Sequence, residues 1–278
     1  MTHYGMAVPA ALLLVSLSIP SAGQTTDDTA GVPSSVAPVQ TPAQVATPTS
    51  PAGKQQLAPE DLADIFMARK DYREAAFSYK KLADENPRNA VYWNKLGIAL
   101  HQQAELSGAM KSYQQAVKVN PQYADAQNNI GTIWYQRKKF GKAIRAYQRA
   151  IKMRSDMAVL YSNLGYAYFG EKKYEESIGA FRQALAIDPQ LFERGASRGG
   201  SVLQDRSVSD RGRFYFLLAK SFAEAGNFDR SLIYLRKAKE EGFARMNEVA
   251  TDPSFSAMLK LPETQEILAA KPADSTLP

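Results

Sequence analysis

The sequence of 278 residues contains no cysteine and only two histidines, His3 and His101. The lack of cysteine excludes disulfide bonds, thiolate metal sites and attachment of a lipid through a cysteine. A single histidine beyond the N-terminal segment, without a D-x-D-x-D-G loop, leaves too few ligands for a metal ion. We therefore expect a fold held together by packing alone, with no metal site and no cofactor.

Motifs that would indicate catalysis are also scarce. Neither a G-x-G-x-x-G loop nor a P-loop occurs. The segment GASRG, residues 195–199, formally matches the turn that presents a nucleophilic serine, here Ser197. That chemistry needs a preceding strand, a following helix and a histidine base, whereas this segment follows a helical pattern. We therefore expect that the protein is not an enzyme.

The sequence also lacks an apolar run of about 20 residues, the length needed to cross a bilayer. The N-terminal stretch AVPAALLLVSLSI, starting at Ala7, is shorter and is followed by the small residues PSAGQ. This pattern is typical of a signal peptide, residues 1–23, although the segment has no Lys or Arg, and an uncleaved anchor is the alternative. Residues 24–56 are rich in Pro, Thr and Ser and lack aromatic residues, which predicts a disordered linker. We expect an exported protein, periplasmic or secreted.

What the sequence does contain is a pattern that repeats with a constant step. Several series of positions keep this step: Leu62, Leu96, Ile130 and Leu164; Ala63, Gly97, Gly131 and Gly165; Ala75, Ala109, Ala143 and Ser177; Tyr79, Tyr113, Tyr147 and Phe181. Pro87, Pro121 and Pro189 mark the ends of repeats. The pattern resembles the tetratricopeptide repeat, a helix–turn–helix unit of about 34 residues.

The resemblance covers residues 57–189 in four units and implies an all-α fold, a right-handed superhelical solenoid. Residues 211–245 fit a fifth unit that is out of phase, because an insertion places Ala219 more than one period after Gly165. We expect an inserted loop at 190–210. Residues 246–278 are expected to form C-terminal capping helices and a tail, with Asp252 and Pro253 starting the first of them.

The resemblance also implies a concave groove lined by the first helix of each unit. The residues that it places there are Asn94, Lys95, Ile98 and His101 in the second unit, Asn128, Asn129, Thr132 and Tyr135 in the third, and Ser162, Asn163, Tyr166 and Phe169 in the fourth. Amide side chains both donate and accept, which suits recognition of a peptide backbone. The alternative is that the asparagines form hydrogen bonds within the array. With Lys95 as the sole groove cation in these units, a clamp for a C-terminal carboxylate is not expected.

A basic stripe lies on the second helix of the third unit. Lys142, Arg145, Arg149 and Lys152 share one face, and the core face is taken by Ala143, Tyr147 and Ala150. The stripe is predicted to be a solvated convex face, with docking to acidic lipid, polymer or protein as the alternative. Because no aromatic residues alternate with these cations on the same face of the helix, nucleic acid is not an expected partner.

The sequence therefore predicts a non-catalytic scaffold that binds a peptide segment of a partner protein in the groove, within a cell-envelope complex. Two alternatives stay open. One is an accessory subunit of an envelope enzyme, with residues 190–210 as its functional loop. The other is docking of the basic face to anionic membrane or cell-wall polymer. The partner's identity and the oligomeric state do not follow from the sequence.

Overall fold

The computed structural model describes residues 57–194 and 210–269. The predicted signal peptide, the linker, most of the inserted loop and the end of the tail lie outside the described residues. Within the described part, helices and 3₁₀ turns form the regular structure and no strand occurs. None of the described helices combines the length and the apolarity needed to span a membrane.

Helical hairpins follow one another along the chain. The hairpins are α1 (Pro59–Arg69) with α2 (Tyr72–Glu85), α3 (Ala90–Gln102) with α4 (Leu106–Val119), α5 (Ala124–Gln136) with α6 (Phe140–Met153), and α7 (Ala158–Gly170) with α8 (Tyr174–Ile187). After the short α9 (Leu191–Arg194), α10 (Arg211–Glu224) and α11 (Phe228–Glu240) form a fifth. Each second helix also packs against the first helix of the next hairpin, and α8 packs against α10. The prediction of an all-α solenoid is confirmed.

A left-handed residue ends the first helix of each of the first four hairpins. Lys70, Ala104, Lys138 and Lys172, spaced one repeat apart, have φ between 56° and 65°. Gly226 takes the same place in the fifth hairpin, with φ of 75°. Because the left-handed conformation turns the chain sharply, the second helix can start at once and fold back on the first.

Glycine in the first helix makes room for an aromatic ring of the second. A Cβ atom added to Gly97, Gly131 or Gly165 would lie 2.5 Å from the ring of Tyr113, Tyr147 or Phe181, respectively. All three rings are fully buried. The small residue near the start of the second helix also comes close, since Ser177 Oγ donates to the Gly165 carbonyl at 2.9 Å. The periodic glycines therefore set how closely the two helices of a hairpin approach.

The C-terminal segment covers the apolar side of the last hairpin. It consists of two 3₁₀ turns, Met246–Ala250 and Pro253–Phe255, and α12 (Pro262–Ala269). Its Val249, Phe255 and Met258 are fully buried in the same cluster as Phe216 of α10. The Asp252 side chain accepts a hydrogen bond from the Ser254 amide, which caps the second 3₁₀ turn.

Candidate functional site

Neighbouring repeats are joined by polar contacts between their first helices. Asn129 Nδ2 donates to Asn94 Oδ1 at 3.1 Å, and Asn163 Nδ2 donates to Asn128 Oδ1 at 3.0 Å. One repeat earlier the same positions hold Glu60 and Lys95, whose charged ends are 3.1 Å apart. If Gly97, Gly131 and Gly165 are counted as the eighth residue of their units, each contact joins the fifth residue of one unit to the sixth residue of the next. The row therefore aligns the first helices of four units.

The predicted groove asparagines take part in this alignment. Asn128, Asn129 and Asn163 are fully buried, and Asn94 is nearly so. A hydrogen bond between two buried amides satisfies groups that would otherwise cost free energy in the interior. Hydrogen bonding within the array, which the sequence leaves open, describes these two pairs. Contact of the asparagines with a ligand stays a prediction.

The groove cation Lys95 is already paired. Its Nζ lies 2.9 Å from both Asp64 carboxylate oxygens as well as close to Glu60. Tyr92 donates a hydrogen bond to Glu60 at 2.9 Å, and this bond, together with Lys95, lowers the pKa of the Glu60 carboxyl. Tyr79 donates to Asp64 in the same way. Because two carboxylates hold the Lys95 ammonium, it is not a free anchor for the carboxylate of a ligand.

Three buried polar atoms of the third and fourth repeats have no hydrogen-bond partner among the residues that the structure describes. They are Asn128 Nδ2, Ser162 Oγ and Asp125 Oδ1. Ser162 occupies the position of Asn128 one repeat later, and Asp125 lies one helical turn before Asn128 on α5. Burial raises the pKa of the Asp125 carboxyl, and the charge of Arg154 partly opposes that change. An unpaired donor, an unpaired hydroxyl and an unpaired acceptor thus lie buried on the first helices of adjacent repeats.

Asp125 is a residue that the site prediction did not name. With the same numbering it is the second residue of its unit, a position that the resemblance also assigns to the groove. The sequence could have pointed to Asp125, because the equivalent positions of the neighbouring units hold the apolar Val91 and Val159. An acid between two valines at a groove position is a departure from the repeat.

The aromatic residues predicted for the groove pack against rings of neighbouring helices. The Tyr166 ring stacks on Phe214 with ring centres 5.1 Å apart, and Phe169 meets the same ring edge-on at 5.6 Å. Tyr135 lies edge-on to Phe140 at 5.3 Å. Phe214, at the start of α10, joins the fourth and fifth hairpins, and the insertion hid this role from the repeat pattern. All of these rings except Phe140 are buried.

The remaining predicted groove residues are Thr132, Ile98 and His101. Thr132 Oγ1 receives a hydrogen bond from Tyr147 at 3.3 Å and lies 3.3 Å from the Asn128 carbonyl. Ile98 is half-buried. His101 Nε2 lies 2.9 Å from Oε1 of Gln136 in the next unit. Burial lowers the pKa of the His101 imidazole, so this contact between repeats involves the neutral ring at pH 7.

The structure places the four cations of the basic stripe on the exposed side of α6. No described carboxylate forms an ion pair with Lys142, Arg145, Arg149 or Lys152. Lys142 Nζ lies 4.4 Å from the centre of the Trp134 ring, a cation–π distance. Trp134 belongs to α5, so inspection of α6 alone could not find this aromatic neighbour. Within the described part of the chain, no cluster of His, Asp or Glu suits a metal ion.

Consecutive helical hairpins aligned by a polar row define a helical-repeat protein. Sequence profiles described as tetratricopeptide repeat match residues 60–116 and 158–191, and one described as TPR repeat matches residues 99–136 and 131–172. Residues 60–191 are tetratricopeptide repeats, as the repeating pattern predicted.

Solved structures with this architecture resemble the chain at low identity. A crystal structure of MamA is 22% identical, with 67% of this chain and 98% of that chain covered and a TM-score of 0.47. MamA from Desulfovibrio magneticus RS-1 is 17% identical over 67% of this chain and 94% of its own, with a TM-score of 0.48. YrrB, titled a TPR protein with an unusual peptide-binding site, is 14% identical over 69% and 89%, with a TM-score of 0.45. Comparison with curated protein sequences found no match.

Proposed function

We propose that the protein is a non-catalytic scaffold that binds a peptide segment of a partner protein along the first helices of its third and fourth repeats. The observation that carries this proposal is the pair of buried, unpartnered groups at equivalent positions, Asn128 Nδ2 and Ser162 Oγ. A buried polar group without a partner costs about 1–3 kcal/mol. A ligand that supplies the missing hydrogen bonds recovers this free energy on binding.

A peptide backbone has the complementary groups. Its carbonyl accepts from the Asn128 amide, and either its carbonyl or its N–H pairs with the Ser162 hydroxyl. The unpartnered Asp125 oxygen accepts from a further N–H or from a cationic side chain of the ligand. Hydrogen bonds to main-chain groups do not depend on most ligand side chains. The Asp125 carboxylate would add selectivity, because it favours a basic side chain of the ligand.

The experiment compares two buried serines of the same hairpin. The Ser162 hydroxyl has no hydrogen-bond partner within the described part of the chain, whereas Ser177 donates to the Gly165 carbonyl at 2.9 Å. Partners are first identified by affinity purification of the tagged protein and then titrated with purified variants. We expect Ser162→Ala to weaken binding severalfold, by about 0.5–1.5 kcal/mol for one hydrogen bond, while thermal stability is unchanged or slightly higher.

Ser177→Ala is the matched control. It should lower stability by about 1 kcal/mol, because a buried hydrogen bond is lost, and leave partner affinity unchanged. Binding that is insensitive to Ser162→Ala, Asn128→Ser and Asp125→Asn alike would refute the groove proposal.

We also propose that the protein acts outside the cytoplasm, in an envelope complex, because of its signal-like N-terminal stretch. Cell fractionation with a C-terminal tag tests this directly.

A second candidate function is docking of the basic stripe to an anionic surface, favoured by its four exposed cations, which have no ion-pair partner among the described residues. Binding to phosphatidylglycerol vesicles that weakens steeply with salt would support it.

A further inference from the structure

Phe77 is the most exposed large apolar residue of the described chain, with 76% of its surface in contact with solvent. It lies on α2, at a position that holds Lys111 in the second unit and Arg145 in the third. The repeat pattern thus tolerates a cation at this place, and the fold of the first unit does not require a phenyl ring. Covering such a ring contributes roughly 1.5–3 kcal/mol.

Phe77 borders an open cleft of about 700 Å³ between the first two hairpins. Trp93, Leu96 and Leu100 contribute apolar surface to its lining. The cleft exists because smaller residues occupy two positions of the second unit. Leu100 and Gly108 stand where the next unit has Trp134 and Lys142. There, Lys142 Nζ lies 4.4 Å from the centre of the Trp134 ring. The corresponding place one unit later is therefore filled by the protein itself.

Cations surround the cleft. Its lining contains three basic residues, Arg73, Lys80 and Lys111, and one acidic residue, Glu105. Lys80 is paired with Asp84 at 2.6 Å, but no described carboxylate pairs with Arg73 or Lys111. An apolar floor with an uncompensated basic rim is complementary to an apolar side chain flanked by acids.

We propose that this cleft is a second docking site, which binds an amphipathic helix of a partner protein with apolar residues on one face and Asp or Glu beside them. The apolar residues enter between Phe77, Trp93 and Leu100, and the acids meet Arg73 and Lys111. A recessed site suits an inserted side chain better than a flat lipid surface does. The site is lined by residues of α2 and α4 and by Trp93, Leu96 and Leu100 of α3. It shares no residue with the groove predicted on the first helices.

The test uses labelled synthetic helical peptides of about five turns. One carries Leu on a face flanked by Glu, and its counterpart has every Glu replaced by Lys. Fluorescence anisotropy should show binding of the acidic peptide, weaker at high salt. Phe77→Lys, which installs the residue type of the second unit, should weaken it roughly tenfold, and Arg73→Glu with Lys111→Glu should abolish it.

Ile233→Lys is the matched control, because Ile233 occupies the same position of the fifth unit and is 36% exposed. This variant should bind the acidic peptide as the wild type does. Equal binding of both peptides, or no effect of Phe77→Lys, would overturn the proposal. The proposal would also be overturned if the acidic peptide did not bind and Phe77→Lys instead abolished binding to phosphatidylglycerol vesicles or self-association in sedimentation.

Discussion

At the scale of single residues, four side-chain-bearing residues adopt a conformation that favours glycine. Lys70, Ala104, Lys138 and Lys172 each turn the chain between the helices of a hairpin with positive φ. A side chain in the left-handed region costs about 1–2 kcal/mol, because Cβ approaches the following carbonyl oxygen. Gly226 performs the same turn in the fifth hairpin without this cost.

Lys138→Gly is therefore expected to stabilise the protein. The relief of backbone strain exceeds the added entropy of the unfolded chain, for a net gain of about 0.5–1 kcal/mol. Thermal unfolding measures the effect. The neighbour Lys139 has φ of −93° and gains no such relief, so Lys139→Gly should leave stability unchanged or lower it. An equal rise for both variants would contradict the explanation.

At the scale of elements, the distance between the two helices of a hairpin is set by which residue faces the ring. Gly97, Gly131 and Gly165 face aromatic rings, whereas the fifth hairpin has Ala219 with Leu235 at the equivalent positions. The first hairpin combines Ala63 with Tyr79, both fully buried. Alanine on the first helix therefore faces the smaller Leu235 in the fifth hairpin and a tyrosine in the first.

Gly131→Ala should destabilise the protein by about 1–3 kcal/mol, since the added methyl group would lie 2.5 Å from the Tyr147 ring. Gly179→Ala on α8 is the control. Its added methyl would meet nothing within 4 Å, and better helix propensity should raise stability by about 0.5–1 kcal/mol. Urea unfolding compares the two. Combining Gly131→Ala with Tyr147→Leu, the arrangement of the fifth hairpin, should cost less than the sum of the single changes.

At the scale of the whole molecule, the C-terminal segment ends the stack by covering its last apolar face. In a linear array each unit contacts only its neighbours, so an uncovered terminal unit is the weakest point. Phe255 of this segment is fully buried, within 5.6 Å of the Phe216 ring by their centres.

Phe255→Ala should cost about 3–5 kcal/mol. Hydrogen exchange should accelerate in α10 and α11 and remain near wild-type rates in α3 and α4, because the loss acts on the terminal unit. The neighbouring exposed Ser256 supplies the control, since Ser256→Ala should leave exchange unchanged. Uniform acceleration along the chain would show instead that the stack unfolds as one cooperative unit.

The hairpins and their succession could be predicted from the sequence, because the contacts that form a hairpin are local. Gly131 meets Tyr147 within one period, so every repeat carries its own copy of the pattern. The fifth hairpin follows an insertion, and the same spacing between Ala219 and Leu235 still identifies it. The resemblance also singled out Asn94, Asn128, Asn129 and Asn163, and their place in a ligand groove stays a prediction.

Which groups bond to each other was decided by the tertiary structure alone. Asn129 and Asn163 look alike in the sequence, yet their pairing with Asn94 and Asn128 depends on how one hairpin rests on the next. The same placement leaves Asn128 Nδ2 and Ser162 Oγ without a partner among the described residues. The cleft beside Phe77 stays open because Leu100 and Gly108 are smaller than Trp134 and Lys142 of the next unit. The physical reason is that the repeat period fixes packing within a unit, whereas the contacts between units depend on the relative placement of separate helices.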